Sequence, residues 1–503
     1  MLNNINHLDL FSGLGGFSIG LKKACENTGI NYNQTLFSEI KTSAIKALKH
    51  NFNIKNELPL SIVDLAKNIH NNPNHYHFNF LTAGFPCQPF SVAGNREGFS
   101  DKYGRGEMFF HIVDILKQQI PQYIILENVP NLETHDNGNT FKVILEELDK
   151  CGYIIDYHIF DSKDFQLVQH RKRIFIYGIH KSYINPNKLD STYKQLKQIK
   201  DVTKPAYYPT FKDIIQDTNV VNQQSGCNTL DNKSEYIEQY RKSLKDSEKR
   251  FINMLLNYVN KHNINLSNKY INDKRGGDRN IHSWDLEYFG KIGSIEKELL
   301  NLILLECRKK SNDRMNTNKT DGIPLLIQVV FEKIQNNDIL KNLNINELTN
   351  ILDNLEKLGY LNTHHYLEHP VTNKRTSALN SQVKQWIKKG YDEILDEDGK
   401  ILKGYSVITN KLRFPFYTFI TEDSVLKTLT ATDAIKVGIV DKSNNIIRKL
   451  TKRELLDSLG YPKDYNLDNF EEFSKEIYDL CGNSLAVPIV QYIATKMLTI
   501  QKI

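Results

Sequence analysis

Short apolar runs alternate with amphipathic stretches from the start of the chain to about residue 183. His7-Leu8-Asp9-Leu10-Phe11 has the length and polarity of a strand, and Gly16 to Ala24 carries helical spacing after it. The same alternation predicts strands at 35–38, 78–83, 123–126, 154–160 and 173–177, with helices through 44–48, 108–117 and 141–148 between them. Ile62-Val63-Asp64-Leu65 reads as a further strand that closes at Asp64. Repeated strand–helix units of this kind imply an α/β fold with a doubly wound, mostly parallel sheet and helices on both faces. Ligands of such sheets lie beyond the carboxyl ends of the strands.

The texture changes after Tyr183. Residues 184–424 are richer in Asn and Lys and show no repeating strand–helix unit. Helical spacing recurs at 296–310 and 346–358, and the order helix, helix, strand over 322–380 is compatible with a winged-helix module. There is no internal repeat. Regular patterning returns near Leu426, with Thr428-Leu429-Thr430-Ala431-Thr432, a helix at 452–459 and a final amphipathic helix over 484–498, expected to pack beside the first strand.

A chain of 503 residues exceeds one ordinary core, so two or three domains are expected. An apolar content of 40% and a mean hydropathy of -0.47 describe a soluble globular protein, and no run approaches the ~20 apolar residues of a membrane span. The first residues lack the basic-then-apolar order of a secretory signal. Six cysteines (Cys25, Cys87, Cys151, Cys227, Cys307, Cys481) occur without Cys-x-x-Cys pairing, which argues for a reducing compartment and against a structural zinc site. The net charge of +6 permits a polyanionic partner without requiring one. The abundance of Asn, Lys and Ile suggests an AT-rich bacterial genome, and the lack of a visible export signal a cytoplasmic protein.

The chemistry concentrates at predicted strand ends. Gly84-Phe85-Pro86-Cys87-Gln88-Pro89-Phe90-Ser91 places one thiol between two prolines, just past an apolar strand. A lone cysteine is by default a buried packing residue, but a thiol on a turn stiffened on both sides is held for attack. Asp9 to Phe17 is a strand, a glycine turn (Gly13, Gly15, Gly16) and a helix start, which lets backbone approach a ligand. Its Gly-x-Gly-Gly spacing differs from that of dinucleotide binders, and such turns also serve tight strand–helix packing. Glu39, at the end of the second strand, could accept from two ribose hydroxyls or simply cap a helix; Asp64 could accept from an adenine amino group. A carboxyl at Glu127 would be partly desolvated and suited to sharing a proton with a ring nitrogen. In Gln169-His170-Arg171-Lys172-Arg173, strand alternation turns Gln169, Arg171 and Arg173 to one face.

Six segments in this order, DLFSGLGGFSIG, GFPCQPFSVAG, ENVPNLETHDNGNT, QHRKRIFIYG, RKLTKRELLDSLGYP and CGNSLAVPIVQYIA, resemble those of the cytosine carbon-5 DNA methyltransferases. They cover 1–183 and about 425–503. The resemblance implies that a catalytic domain is built from both ends of the chain, with a target-recognition domain at 184–424 inserted. It implies that Cys87 attacks carbon 6 of a flipped cytosine, that Glu127 holds the ring nitrogen and amine, and that Arg173, supported by Arg171, contacts the carbonyl oxygen. S-adenosylmethionine would meet Phe11, Gly13, Gly15, Gly16, Glu39, Asp64, Pro86, Met108, Asn483 and Ser484. Double-stranded DNA would meet Gln88, Ser91, Thr428, Thr430 and Thr432. No metal is implied; a monomer suffices, and a separate cognate restriction endonuclease is the expected companion.

Some positions depart from the family pattern. Ile40 stands where many members place an aromatic, Ala93 where some have serine, and Cys481 replaces a more usual aromatic. Alternatives to an active DNA enzyme are a transfer-RNA cytosine methyltransferase with the same motifs and a catalytically silent DNA-binding relative. The intact Cys87, Glu127, Arg171 and Arg173 speak against the silent relative. A cysteine hydrolase lacks a partner His/Asn pattern.

Overall fold

The computed structural model describes residues 4–58, 60–86, 108–215, 233–267, 269–317, 322–409, 416, 418–432, 434–441 and 446–500. They form two compact units. The first comprises Met1–Asp231, Glu422–Ile435 and Lys449–Ile503; the second comprises Asn232–Thr421 and Lys436–Arg448.

The first unit begins with β1 (Asn4–Leu10), α1 (Gly16–Thr28), β2 (Asn31–Ser38), α2 (Thr42–Asn51), α3 (Ile62–Asn71), β3 (Phe80–Gly84) and α4 (Met108–Gln119). It continues with β4 (Tyr123–Asn128), α5 (Asn139–Lys150), β5 (Tyr153–Asp161), β6 (Gln169–His170), β7 (Lys172–His180) and α6 (Leu189–Lys197). The second unit holds α7 (Lys233–Ser243), α8 (Asp246–His262), β8 (Tyr270–Ile271), β9 (Asn280–Ile281), α9 (Ser294–Glu306), β10 (Leu325–Leu326), α10 (Ile327–Ile334) and α11 (Ile345–Leu358). It runs on through β11 (Leu361–Glu368), β12 (Arg375–Leu379), α12 (Val383–Ile387), β13 (Asp392–Glu393), β14 (Lys403–Val407) and β15 (Thr418–Ile420). The chain returns to the first unit with β16 (Leu426–Lys427) and gives β17 (Val437–Asp441) and β18 (Ile446–Arg448) to the second. It finishes in the first with α13 (Lys452–Ser458), α14 (Lys475–Asn483) and α15 (Val487–Ile500).

Six strands of the first unit make one sheet in the order β2-β1-β3-β4-β7-β5. The β2-β1-β3-β4 pairings are parallel, and β7 runs antiparallel to both β4 and β5. This is the doubly wound, mostly parallel α/β sheet that the alternation predicts. One face carries a core of Phe17, Leu21, Phe175, Leu196, Val490 and Ile493; the other carries Leu10, Leu65, Leu81, Ile112, Ile124 and Ile144.

Two local expectations change. Ile62–Leu65 is not a strand but the start of α3, because the Ser61 side chain caps it by accepting from the Asp64 amide at 3.0 Å. The buried Ile62, Leu65, Ala66 and Ile69 then form one helical stripe. The last helix, α15, packs against α1 rather than beside β1. Gly20 permits that approach: a Cβ there would lie 2.7 Å from the Val490 Cβ.

The unit limits also fall away from 183 and 424. Residues beyond 183 stay with the first unit because Leu196 of α6 enters the same core as α15. Residues 436–448 join the second because β17 pairs with β15. In the second unit, α9, α10 and α11 pack on the sheet β10-β14-β11-β12. The order α9, β10, α10, α11, β11, β14 is that of a winged helix, with β12 and β13 between the last two strands. Its first helix, α9, lies before the span the sequence pattern picked out.

Candidate active site

The glycine turn after β1 is held by backbone geometry and by distant segments. Phe11, Gly13 and Gly15 all have positive φ (55°, 54° and 72°), and for a bulky Phe this is a strained conformation. Ser12 Oγ donates to the carbonyls of Asp9 (2.7 Å) and Ser38 (3.2 Å), and Tyr465 donates its hydroxyl to the Leu14 carbonyl at 2.9 Å. Gly15 and Gly16 are required by packing. A Cβ on Gly15 would sit 2.6 Å from the Phe52 ring, and one on Gly16 2.9 Å from the Tyr461 hydroxyl. Gly13 differs, since a Cβ there would have only the Phe11 carbonyl, at 3.9 Å, within reach.

Glu39 lies just past β2, half-buried. Its Oε2 accepts from the Gly13 amide (2.8 Å), and its Oε1 accepts from the amides of Ile40 and Lys41 (2.8 Å each). Three backbone donors fix this carboxylate; Lys41 is paired instead with Asp479. Ile40 beside it is 66% exposed.

At the carboxyl ends of β3 and β4, Gly84 and Glu127 are register partners. Glu127 Oε2 lies 3.5 Å from where a Cβ on Gly84 would be. Arg173 of β7 places its Nε 2.9 Å from Glu127 Oε1, with both side chains largely buried. Burial raises the Glu127 carboxyl above its ordinary pKa, and the Arg173 and Arg171 charges partly offset that. The next residue, Asn128, is buried. It donates through Nδ2 to the Phe85 carbonyl at 2.9 Å, anchoring the segment that leads to Cys87.

Arg171 is turned inward with Gln169 and Arg173, as alternation predicts, but it is almost wholly buried, at 1% exposure. Its guanidinium donates to the carbonyls of Leu429 (2.8 Å) and Gly482 (3.0 Å), so it joins three segments far apart in sequence. Burial, reinforced by the Arg173 charge, lowers its pKa to about 9, which leaves it a cation at neutral pH. A Cβ on Gly482 would fall 2.5 Å from the Thr430–Ala431 backbone, so that position too is set by close approach.

A model of the C-5 cytosine-specific DNA methylase family matches residues 5–322 and 308–499. The chain belongs to this family. The methylase is 35% identical over 506 residues to the type II methyltransferase M.NlaIV of Neisseria lactamica, covering 99% of each chain. It shows the same identity and coverage to the type II methyltransferase M.NgoBV of Neisseria gonorrhoeae. To M.BanI of Aneurinibacillus aneurinilyticus it is 31% identical, over 97% of this chain and 94% of that one. The solved methyltransferase Dnmt2 of S. pombe aligns over 99% of this chain at 14% identity with a TM-score of 0.42, a likeness that carries no functional weight.

As a DNA cytosine-5 methyltransferase, the methylase presents its sequence-predicted residues on several segments of the first unit. Phe11, Gly13, Glu39, Glu127, Arg171 and Arg173 all lie at or just beyond sheet strands, as the fold directs. Asp64 is exposed on the first turn of α3 and accepts from the Ser61 hydroxyl at 2.5 Å. Met108 opens α4, half-buried, and Pro86 is exposed. Asn483 donates to Asp479 at 3.0 Å, and Ser484 bonds the Tyr461 hydroxyl at 2.7 Å. Thr428 donates to the His170 carbonyl at 2.8 Å, and the Thr430 and Thr432 hydroxyls lie 3.4 Å apart. Cys87, Gln88 and Ser91 lie outside the described residues.

Sequence reasoning missed a buried polar network beneath the glycine turn. Asp9 accepts from Ser18 (2.8 Å) and Thr82 (2.9 Å), and the His7 Nε2 lies 2.7 Å from the Thr82 hydroxyl. Burial raises Asp9 to about 7 and lowers His7 to about 3. Tyr461 and Tyr465, which bind the turn and Ser484, were likewise not signalled; only the Gly-Tyr-Pro pattern around Tyr461 marked that stretch.

Proposed function

We propose that this enzyme takes its methyl group from S-adenosylmethionine and transfers it to carbon 5 of a cytosine flipped out of duplex DNA, with Cys87 as nucleophile. The observation that carries the reading is the buried Glu127–Arg173 pair, set beside the end of β3 that leads to Cys87. A ring carbon inside a stacked duplex is out of reach, so the base must leave the helix. The Cys87 thiolate adds to carbon 6 and makes carbon 5 nucleophilic. Glu127, its carboxyl raised by burial, shares a proton with ring nitrogen 3 and holds the exocyclic amine. Arg173 donates to the carbonyl oxygen of the base. Arg171 acts through others, holding the Leu429 and Gly482 carbonyls against the sheet. Loss of the carbon 5 proton then expels the thiolate.

The residues fit an adenosyl ligand. Space is open above Gly13, and the Glu39 carboxylate beside it is fixed by three backbone amides, with one lone-pair site on Oε2 left for a ribose hydroxyl. Ile40 offers exposed apolar surface in place of an aromatic. When bound, S-adenosylmethionine supplies the electrophilic methyl group. Phe11, Gly15, Gly16, Asp64, Pro86, Met108, Asn483 and Ser484 would complete its surroundings. Gln88, Ser91, Thr428, Thr430 and Thr432 would face DNA, with the second unit as the target-recognition domain.

The full-length likeness to type II methyltransferases favours duplex DNA over transfer RNA. It also supports a protective role beside a cognate restriction endonuclease in a bacterial cytoplasm; one flipped base per catalytic domain makes a monomer sufficient. Bisulfite sequencing of DNA from a methylation-free host expressing the gene tests the reading. Protected cytosines are expected in one recurring context, and none with Cys87→Ser. Fully converted DNA from cells making soluble wild-type enzyme would refute it.

A further inference from the structure

We propose that the loop joining β8 to β9 grips the phosphate backbone of duplex DNA through Lys274, Arg275 and Arg279. The inference rests on the DNA methyltransferase reading and names the element by which the second unit holds its substrate.

The three cations are exposed, and none forms an ion pair among the described residues. Asp278 is the one exposed carboxylate of the loop. The loop backbone is nonetheless tied down at several points. Asn272 Oδ1 accepts from the Lys274 amide (2.8 Å), and Asn280 Nδ2 donates to the Gly276 carbonyl (2.8 Å). His282 Nε2 lies 3.0 Å from the Arg275 carbonyl; a carbonyl only accepts, so this nitrogen carries a proton. The ring of His282 is stacked on the fully buried Trp284, with centroids 4.4 Å apart and planes 2° apart. Asp273, 4% exposed, accepts from the Ser283 amide at 2.8 Å. Gly277 takes φ +101° in open space, and a Cβ on Gly276 would meet Leu305 of α9 at 2.8 Å.

Asp273 of the loop and the imidazole of His282 are therefore buried beneath residues 274–279, whose side chains add nothing to the core. Burying the Asp273 carboxylate is unfavourable, and its hydrogen bond with the Ser283 amide ties the start of the loop to the segment just past β9. What the platform achieves is a fixed display of three cations, and ordering them beforehand lowers the cost of binding a regular polyanion. The winged-helix module offers the contrasting surface. The exposed face of α11 carries Asn346, Glu347, Asn350, Asp353, Asn354 and Lys357, two carboxylates to one cation, which repels phosphate. Charge selects the loop.

Phosphate contacts are independent of sequence, so a short mixed-sequence duplex suffices as probe. Binding to the full-length protein is measured by fluorescence anisotropy at several salt concentrations. Lys274→Ala/Arg275→Ala/Arg279→Ala should weaken binding at least tenfold and make the salt dependence shallower by about 2–3 in log–log slope. Arg275→Lys/Arg279→Lys should bind as wild type, as should Asn350→Ala/Asn354→Ala on α11. An unchanged affinity and slope in the triple variant, with an unaltered melting temperature, would overturn the proposal; so would loss of binding in the α11 variant alone. The readout does not depend on turnover. Loop-dependent binding by a wild type that never methylates DNA would sink the methyltransferase reading and leave the loop assignment standing.

Discussion

Glu127 and Asp9 are both carboxyls driven up by burial, yet they sit in different company. Glu127 lies at the rim of the sheet beside two arginines, whose charges offset part of that rise. Asp9 lies under the glycine turn, where the Ser18 and Thr82 hydroxyls and the Ser18 backbone meet it and the Glu39 charge adds to the rise, so protonation there serves stability. Its folded value, about 7, exceeds the ordinary 3.8, so the native state holds this proton more tightly than the unfolded chain. The resulting stabilisation is complete below pH 3.8 and is lost as the pH rises through about 7. Asp9→Asn should remove that loss, because Ser18 and Thr82 can turn their hydroxyls to suit an amide. Thermal melts between pH 4 and 8 test this: the variant's melting temperature should gain on wild type as pH rises, and a constant difference would reject it. His7 pulls the other way, since burial holds it neutral and penalises acid. None of this was legible in the sequence. Alternation puts His7 and Asp9 on one face of the strand, but the Ser18 and Thr82 hydroxyls that satisfy them are brought there only by folding.

Alternation carries most of the element-level prediction because the strands are long and the helices between them amphipathic. It fails at Ile62–Leu65, where four residues with two β-branched side chains fit either period, and the deciding signal was Ser61 three positions before Asp64. Alternation also turned Arg171 inward correctly. Which carbonyls it would meet was not readable, because Leu429 and Gly482 are brought to it only by folding. The α1–α15 contact was equally hidden, although Gly20 marks it in retrospect. Gly20→Leu would place a Cβ 2.7 Å from the Val490 Cβ and 3.0 Å from the Val487 carbonyl. A loss of about 1–3 kcal/mol is expected, read as a lower melting temperature, and an unshifted melt would show that the helices can move apart freely.

At the scale of the molecule, the two units exchange the chain more than once. Residues 436–448 leave the first unit, and β17 pairs with β15 of the second. Deleting 232–421 alone therefore strips β17 and β18 of their sheet, whereas removing 436–448 as well, with short linkers, leaves the first unit whole with both of its core faces. Size-exclusion chromatography and circular dichroism should find the single deletion aggregated and the double deletion monomeric with a cooperative melt. A well-behaved single deletion would contradict the assignment of that hairpin.

The pairing of α1 with α15 also has a price in time. A ribosome adding ~5–20 residues per second needs on the order of 20–90 s to travel from the first helix to the last. Throughout that interval Phe17, Leu21 and Ala24 lack the Val490 and Ile493 that finish their core. The newborn sheet must stay sheltered until translation is almost over, so a stall in the final codons would release an insoluble chain instead of a slow enzyme.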